Sequence, residues 1–158
     1  VRLKPNHPSQ LVQRVVFLLL LLTIVSCETL GSKNKIQENL DKSIELFNFE
    51  FESKSFDSIT RFIHPTHRAN YMAKSLEMTK RVTFFEATPL DIQFFKDETP
   101  ALITSKGPEE GFNRTVVTVR YQVAVLPSTK LKTLIIEQEW VLLGEQWVVI
   151  PNLNKLLK

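Results

Sequence analysis

The chain has 158 residues, of which 20 are Lys or Arg and 17 are Asp or Glu, so its formal net charge is +3 at pH 7. Three of the basic residues and none of the acidic ones lie within the first 27 positions, and the remaining residues therefore carry 17 charges of each sign. A domain of this length is large enough to form one hydrophobic core. Its positive and negative charges balance, so it lacks the excess of positive charge typical of nucleic-acid-binding proteins.

An apolar run extends from Val15 to Cys27, after a segment whose only charges are positive. A basic stretch, an apolar stretch and a small residue at Ser26 follow one another in the order of an export signal. Val15 to Val25 would span roughly 16 Å as a helix, about half of the hydrocarbon thickness of a bilayer, which argues against a transmembrane anchor. A plain secretory signal and a buried core helix remain as alternatives to a lipoprotein signal.

Ile24 to Cys27 read Ile-Val-Ser-Cys and resemble the lipobox of bacterial lipoproteins, in which cleavage leaves the cysteine as a lipid-carrying N-terminus. The resemblance implies a signal peptide at 1–26 and lipidation of Cys27 with a diacylglyceryl group and often a third acyl chain. Glu28 stands where inner-membrane lipoproteins often have Asp. The resemblance therefore implies an outer-membrane anchor, with the domain facing the periplasm or the cell surface.

The signal divides the chain into three parts. Residues 1–26 are the signal peptide, residues 27–34 are the lipidated cysteine with a short tether, and residues 35–158 are expected to form one α+β domain. Cys27 is the only cysteine, so lipidation leaves no thiol for a disulfide. We therefore expect the fold to depend on its apolar core. Ten of the 11 phenylalanines follow Cys27, so this core should be rich in aromatic rings.

Helical periodicity dominates the first half of that domain. The spacing predicts a long amphipathic helix from Lys35 to about Ser53. The apolar face of this helix consists of Ile36, Leu40, Ile44, Phe47 and Phe51. A shorter helix is predicted over 56–63 with Ser55 as its N-cap, and a third over 68–85.

Alternating apolar and polar residues replace the helical spacing after Pro89. The predicted strands are 90–94, 101–104, 114–126, 131–143 and 147–150. An exposed loop is predicted over 106–113, and turns over 127–130 and 143–146. The last three strands are expected to form an antiparallel meander.

Helices followed by antiparallel strands indicate an α+β fold with the helices packed on one sheet face. The last hairpin, Glu139 to Val149, reads Glu-Trp-Val-Leu-Leu-Gly-Glu-Gln-Trp-Val-Val. This hairpin and the order of elements from Ile36 to Ile150 resemble the nuclear-transport-factor-2-like (cystatin-like) fold. The resemblance implies a curved sheet wrapped around helices into an open cone, a fold that includes isomerases, cyclases, dehydratases and members without catalysis. An α+β roll of another kind is the alternative.

The concave face of such a cone would be the apolar face of two strands. Its predicted members are Val117, Val119, Tyr121, Val123, Val125, Leu134, Ile136, Gln138, Trp140 and Leu142. Glu137 and Glu139 then point to the opposite face, so no carboxylate of this hairpin enters the pocket. Tyr121, Gln138 and Trp140 are the candidate ligand-binding residues, and hydrogen-bonded polar groups in a solid core are the alternative reading of Tyr121 and Gln138.

Catalytic candidates are few. His64 and His67 lie within ten residues that also contain an arginine and a tyrosine, and Asp91 is a carboxylate that could reach a pocket. The two histidines are separated by Pro65 and are fewer than the three protein ligands of a catalytic zinc, so no metal site and no cofactor are predicted. A loop that caps the second helix and docks the third is the alternative role of this segment.

The sequence thus predicts a membrane-anchored lipoprotein whose single domain binds a protein partner or a small apolar ligand, without nucleic acid and without catalysis. The alternative function is a cone-fold enzyme that acts on a small hydrophobic substrate. A homodimer through the exposed sheet face is a further hypothesis. In that face Ile135 and Val141 lie beside Glu137 and Glu139.

Overall fold

The computed structural model describes residues 29–104, 107–108 and 111–157, and it has the α+β architecture that the sequence predicts. The predicted signal peptide and Cys27 lie outside the described residues. Contacts divide the chain into two compact units, Val1–Gln37 and Glu38–Lys158. The core and the sites described next belong to the second unit.

Four α-helices and two short 3-10 helices are present among the described residues. The α-helices are α1 (Thr29–Glu52), α2 (Phe56–Ile59), α3 (Arg68–Arg81) and α4 (Asn154–Leu157), and the 3-10 turns are Thr60–Phe62 and Pro65–His67. None of the described helices combines the length and apolar character needed to cross a bilayer.

Seven strands follow α3 within the described residues. They are β1 (Val82–Lys96), β2 (Thr99–Pro100), β3 (Ile103–Thr104), β4 (Gly107–Pro108), β5 (Arg114–Val125), β6 (Leu131–Leu143) and β7 (Gln146–Ile150). Five form an antiparallel sheet in the order β2-β1-β5-β6-β7, and β3 pairs with β4 in a separate hairpin. The predicted meander of the last three long strands is therefore confirmed.

One face of this sheet is the core. Val117, Val119, Tyr121 and Val123 on β5 are buried, and the residues that alternate with them, Thr118, Arg120 and Gln122, are only half-buried, as period-2 alternation predicts. Helix α1 covers this inner face and contributes the aromatic rings that the composition predicts. Phe47 packs edge-on against Trp140 with ring centroids 5.5 Å apart, and Phe51 contacts Tyr121 at 5.8 Å.

Several predicted boundaries are wrong. Helix α3 ends at Arg81, and residues 82–85, which the sequence places in the helix, belong to β1. Val82 has extended backbone angles and pairs with Val125. These four residues are β-branched or aromatic, so a sheet partner favours the strand over the helix.

Strand β1 also continues through Pro89, which the sequence treats as a boundary. Proline has no N–H to donate, so it is tolerated in a strand only where the ladder does not need that donor. Pro89 meets this condition because the other edge of β1 is paired, within the described residues, only at Phe95 and Lys96. Of the predicted strand 101–104, only Ile103–Thr104 is extended, and it pairs with Gly107–Pro108 inside the predicted loop.

Helix α1 begins at Thr29 and not at Lys35. Residues 29–34, predicted to belong to a short tether, therefore rise about 1.5 Å each, less than half of the rise of an extended chain. No proline interrupts this stretch, and the helix extends toward the N-terminus beyond Ile36, its first in-phase apolar residue.

Candidate functional site

A buried polar network links helix α1 to strands β5 and β6. Tyr121 Oη donates to Asn48 Oδ1 at 2.7 Å, and Gln138 Nε2 donates to the same oxygen at 2.7 Å. Gln138 Nε2 also lies 2.6 Å from Tyr121 Oη, and Trp140 Nε1 donates to Gln138 Oε1 at 3.2 Å. The three residues that the sequence nominates for ligand binding are thus brought together, but they bond to one another.

Little room remains beside this network. A cavity of about 20 Å³ borders Tyr121 and Gln138, enough for about one water molecule. The segment after β7 forms part of its wall, because Leu153 and Leu156 are buried and line the same cavity. Burial also raises the pKa of Tyr121, so its hydroxyl stays protonated and acts as a donor to Asn48.

Asn48 is the member of this network that the sequence analysis misses. Its amide nitrogen donates to the carbonyl of Ile44 at 2.9 Å, and its oxygen accepts the bonds from the sheet. Asn48 lies four residues after Ile44 and therefore falls on the apolar face of α1. A polar residue in phase with an apolar stripe is the signal that could have identified it.

A larger groove, of about 360 Å³, opens between α1 and β1. Ile44 and Phe49 contribute its helical wall, and Ala87, Pro89 and Ile92 contribute its strand wall. The three strand residues pair with inner-face residues of β5, so they point toward the helix. Ala87 is opposite Tyr121, and its small methyl group leaves space that a longer side chain would fill.

Two irregularities in β1 keep this wall in place. The pairing with β5 shifts between Phe84 and Glu86 and again between Pro89 and Asp91. The extra residues at these bulges are Phe85 and Leu90, both mostly exposed. Each bulge shifts the alternation of side chains by one residue. Ala87 and Pro89 after the first bulge, and Ile92 after the second, therefore point toward the helix. Bulges also bend a strand.

Acidic side chains line the helical side of the groove. Asp41, Glu45 and Glu52 all belong to α1 and all line the groove. Glu52 Oε1 accepts a hydrogen bond from the Ala87 backbone N–H at 2.7 Å, which joins the C-terminal end of α1 to β1. Partial burial raises the pKa of the Asp41 carboxyl.

The histidine segment lies elsewhere. His64 donates its backbone N–H to the carbonyl of Val149 at 2.9 Å, and its ring Nδ1 lies 2.8 Å from Thr66 Oγ1. The His64 and His67 ring centroids are 5.8 Å apart. Neither histidine lines the groove, and the described residues contain no group of three metal-ligating side chains.

Asp91 lies on the outer face of the sheet, opposite Thr118, and accepts a hydrogen bond from Gln93 Nε2 at 3.1 Å. The groove is on the other face. The three catalytic candidates are thus separated by the fold from the groove.

The outer sheet face is polar at its centre. Glu86 accepts hydrogen bonds from Thr88, Arg120 and Gln122, and Arg114 Nε donates to Glu139 at 2.7 Å. Glu139 therefore faces outward, as predicted. Ile135 is 52% exposed on this face, opposite Arg120.

Comparisons with known proteins return little. No family model matches the chain, and no curated protein matches it. A solved structure that matches is the solution structure of a SEC-C motif containing protein from Rhodopseudomonas palustris, with 14% sequence identity and a TM-score of 0.46. The match covers 65% of this chain and 67% of that one.

Proposed function

We propose that this protein is a membrane-anchored lipoprotein whose domain binds a small apolar ligand in the groove between α1 and β1. The observation that carries the binding role is the groove itself, a space of about 360 Å³ whose apolar lining residues are Ile44, Phe49, Ala87, Pro89 and Ile92. Binding pockets for small molecules start at about 300 Å³ and are mostly apolar.

The proposed site differs from the one that the sequence suggests. Tyr121, Gln138 and Trp140 lie in the core with their polar atoms bonded to one another, and the space beside them is about 20 Å³. The groove has about 360 Å³, and Asn48 is one of its lining residues. A ligand with about a dozen non-hydrogen atoms fits a space of that size.

The finer fold assignment is also a proposal. We infer a nuclear-transport-factor-2-like cone from the order of elements, from the long helix that covers the inner sheet face, and from the two bulges in β1. Bulges bend strands and allow a sheet to curve around a helix. The lipid anchor is supported by the sequence of residues 15–27.

The groove can be tested by filling it. In Ala87→Leu the longer side chain enters the space opposite Tyr121, and we expect it to abolish binding of a neutral probe such as octan-1-ol. Binding would be followed by NMR at the amides of Ala87 and Ile92 in the full chain. Ala124→Leu makes the same change on the outer face of β5 and should leave binding intact.

Two results would contradict the proposal. One is an absence of shifts at Ala87 and Ile92 when octan-1-ol is added to the unmodified chain. The other is an equal loss of binding in Ala87→Leu and Ala124→Leu, which would indicate a general effect of added bulk on the sheet.

A further inference from the structure

We propose that the groove selects amphiphiles with a positively charged head group, a primary amine or a quaternary ammonium, over neutral or anionic molecules with the same apolar chain. This inference rests on the proposed function, because it assigns the chemistry of the head group to the ligand of the same site.

The first argument is the sign of the charges around the groove. Asp41 and Glu45 lie four residues apart on α1, so their side chains are neighbours on one helix face, and both line the groove. Among the described residues, the groove's lining includes neither Lys nor Arg. Neither carboxylate forms an ion pair with a described residue. Their negative charge is therefore available to a ligand.

The second argument is the aromatic ring beside these carboxylates. Phe49 lines the groove and is 67% exposed, so a ligand in the groove can reach its ring. An ammonium group binds favourably over the face of an aromatic ring, and the same ring provides apolar contact for the methylenes next to the head group. The Asp41 and Glu45 carboxylates and the Phe49 ring together favour binding of a cationic head group in the groove.

The third argument is the arrangement of polar and apolar lining. Asp41, Glu45 and Glu52 belong to the helix, whereas the strand side consists of Ala87, Pro89 and Ile92. A ligand with one charged end and one apolar end would match both sides. The carboxylates repel an anionic head group, and a neutral one has no charge–charge attraction to them.

Three probes with the same eight-carbon chain length test the inference: octylammonium, octan-1-ol and octanoate. Each would be titrated into the full chain and followed by NMR at Ala87 and Ile92. We expect octylammonium to bind about ten-fold more tightly than octan-1-ol, and octanoate to bind more weakly than either. The double variant Asp41→Asn/Glu45→Gln should remove the preference for octylammonium and retain octan-1-ol binding.

The matched control is Glu137→Gln/Glu145→Gln, which removes the same net charge at exposed positions outside the groove. This control should keep the ten-fold preference. An equal loss of preference in both double variants would overturn the inference, because it would indicate attraction by overall charge.

The outcomes separate the inference from the function on which it rests. Equal binding of the three probes at Ala87 and Ile92 would overturn the charge selection and leave the groove as an apolar binding site. Tighter binding of octanoate than of octylammonium would also overturn the charge selection and leave the groove as an apolar binding site. If none of the probes shifts these amides, the proposed function itself is wrong.

Discussion

Asn48 is the residue on which the contact between α1 and the sheet most depends. Its side chain is 5% exposed, and its oxygen accepts hydrogen bonds from both Tyr121 and Gln138. A buried donor without a partner costs more than the net gain of an ordinary hydrogen bond, so removing Asn48 affects two sheet residues at once.

We therefore expect Asn48→Ala to lower the free energy of unfolding by about 2–4 kcal/mol, since it leaves two donors short of an acceptor and opens a small cavity. Urea denaturation followed by circular dichroism measures this change. Asn39→Ala on the exposed side of the same helix should change stability by less than about 0.5 kcal/mol. Similar effects of the two substitutions would show that the network does not stabilise the fold.

Glu86 gives a prediction about pH. Its carboxylate accepts hydrogen bonds from Thr88 at 2.5 Å and from Arg120 at 3.2 Å, and these contacts lower the pKa of Glu86 below its ordinary value of 4.5. Because the folded pKa is below the unfolded one, the stabilisation is present above about pH 4.5 and is lost as the pH falls through the folded value.

Glu86→Gln should accordingly lower the melting temperature at pH 7, and the difference from the unmodified chain should shrink between pH 5 and pH 3. Thermal unfolding at several pH values measures it. Glu145→Gln, on the exposed turn between β6 and β7, serves as the charge control and should give little difference at any pH. A Glu86→Gln difference that is independent of pH would contradict the assignment.

At the scale of elements, the link between α1 and β1 determines the width of the groove. Within the described residues β1 has β5 on one side and, over most of its length, no strand on the other. Its two bulges and Pro89 make this long edge a poor template for pairing with another chain. The hydrogen bond from the Ala87 N–H to Glu52 satisfies one backbone donor in this strand.

Loss of that hydrogen bond should be visible at a single amide. We expect Glu52→Ala to accelerate hydrogen exchange at Ala87 about five-fold, because a hydrogen bond of this kind contributes about 1 kcal/mol. Glu52→Gln keeps a side-chain oxygen and should preserve most of the protection. Unchanged exchange in Glu52→Ala would mean that another group protects the Ala87 amide.

At the scale of the whole molecule, the proposed anchor gives the domain its location. One acyl chain binds a membrane only marginally, whereas two or more hold a protein there stably. In the proposed form Cys27 carries such a group, and the domain that follows presents the groove to the compartment outside the cytoplasmic membrane. An amphiphile-binding groove close to a lipid surface is consistent with this location.

Cys27→Ala tests the anchor directly. We expect the unmodified protein in the membrane fraction and the variant outside it, because the substitution removes the only site for the lipid. Mass spectrometry of the mature N-terminus should find a cleaved chain that begins with lipid-modified Cys27. Ser26→Ala keeps a small residue and the cysteine and should remain in the membrane fraction. An unmodified Cys27, or cleavage at another bond, would contradict the anchor.

Local pattern in the sequence determined the long elements of this protein and which of their faces are buried. The spacing from Ile36 to Phe51 predicts helix α1, and alternation predicts β6 with both of its ends correct. It also places Tyr121 and Gln138 on the inner face and Glu137 on the outer one. These inferences succeed because the periods of helices and strands depend on neighbouring residues only.

Only the tertiary structure decided what these faces meet. Residues 82–85 become part of a strand because β5 pairs with Val82, Thr83 and Phe84, and Asn48 becomes the acceptor for Tyr121, 73 positions further along the chain. The groove likewise depends on Ala87 opposite Tyr121 and on two bulges that no local pattern indicates. Contacts between residues distant in sequence follow from the packing of whole elements, and this packing selects among the conformations that local preferences allow.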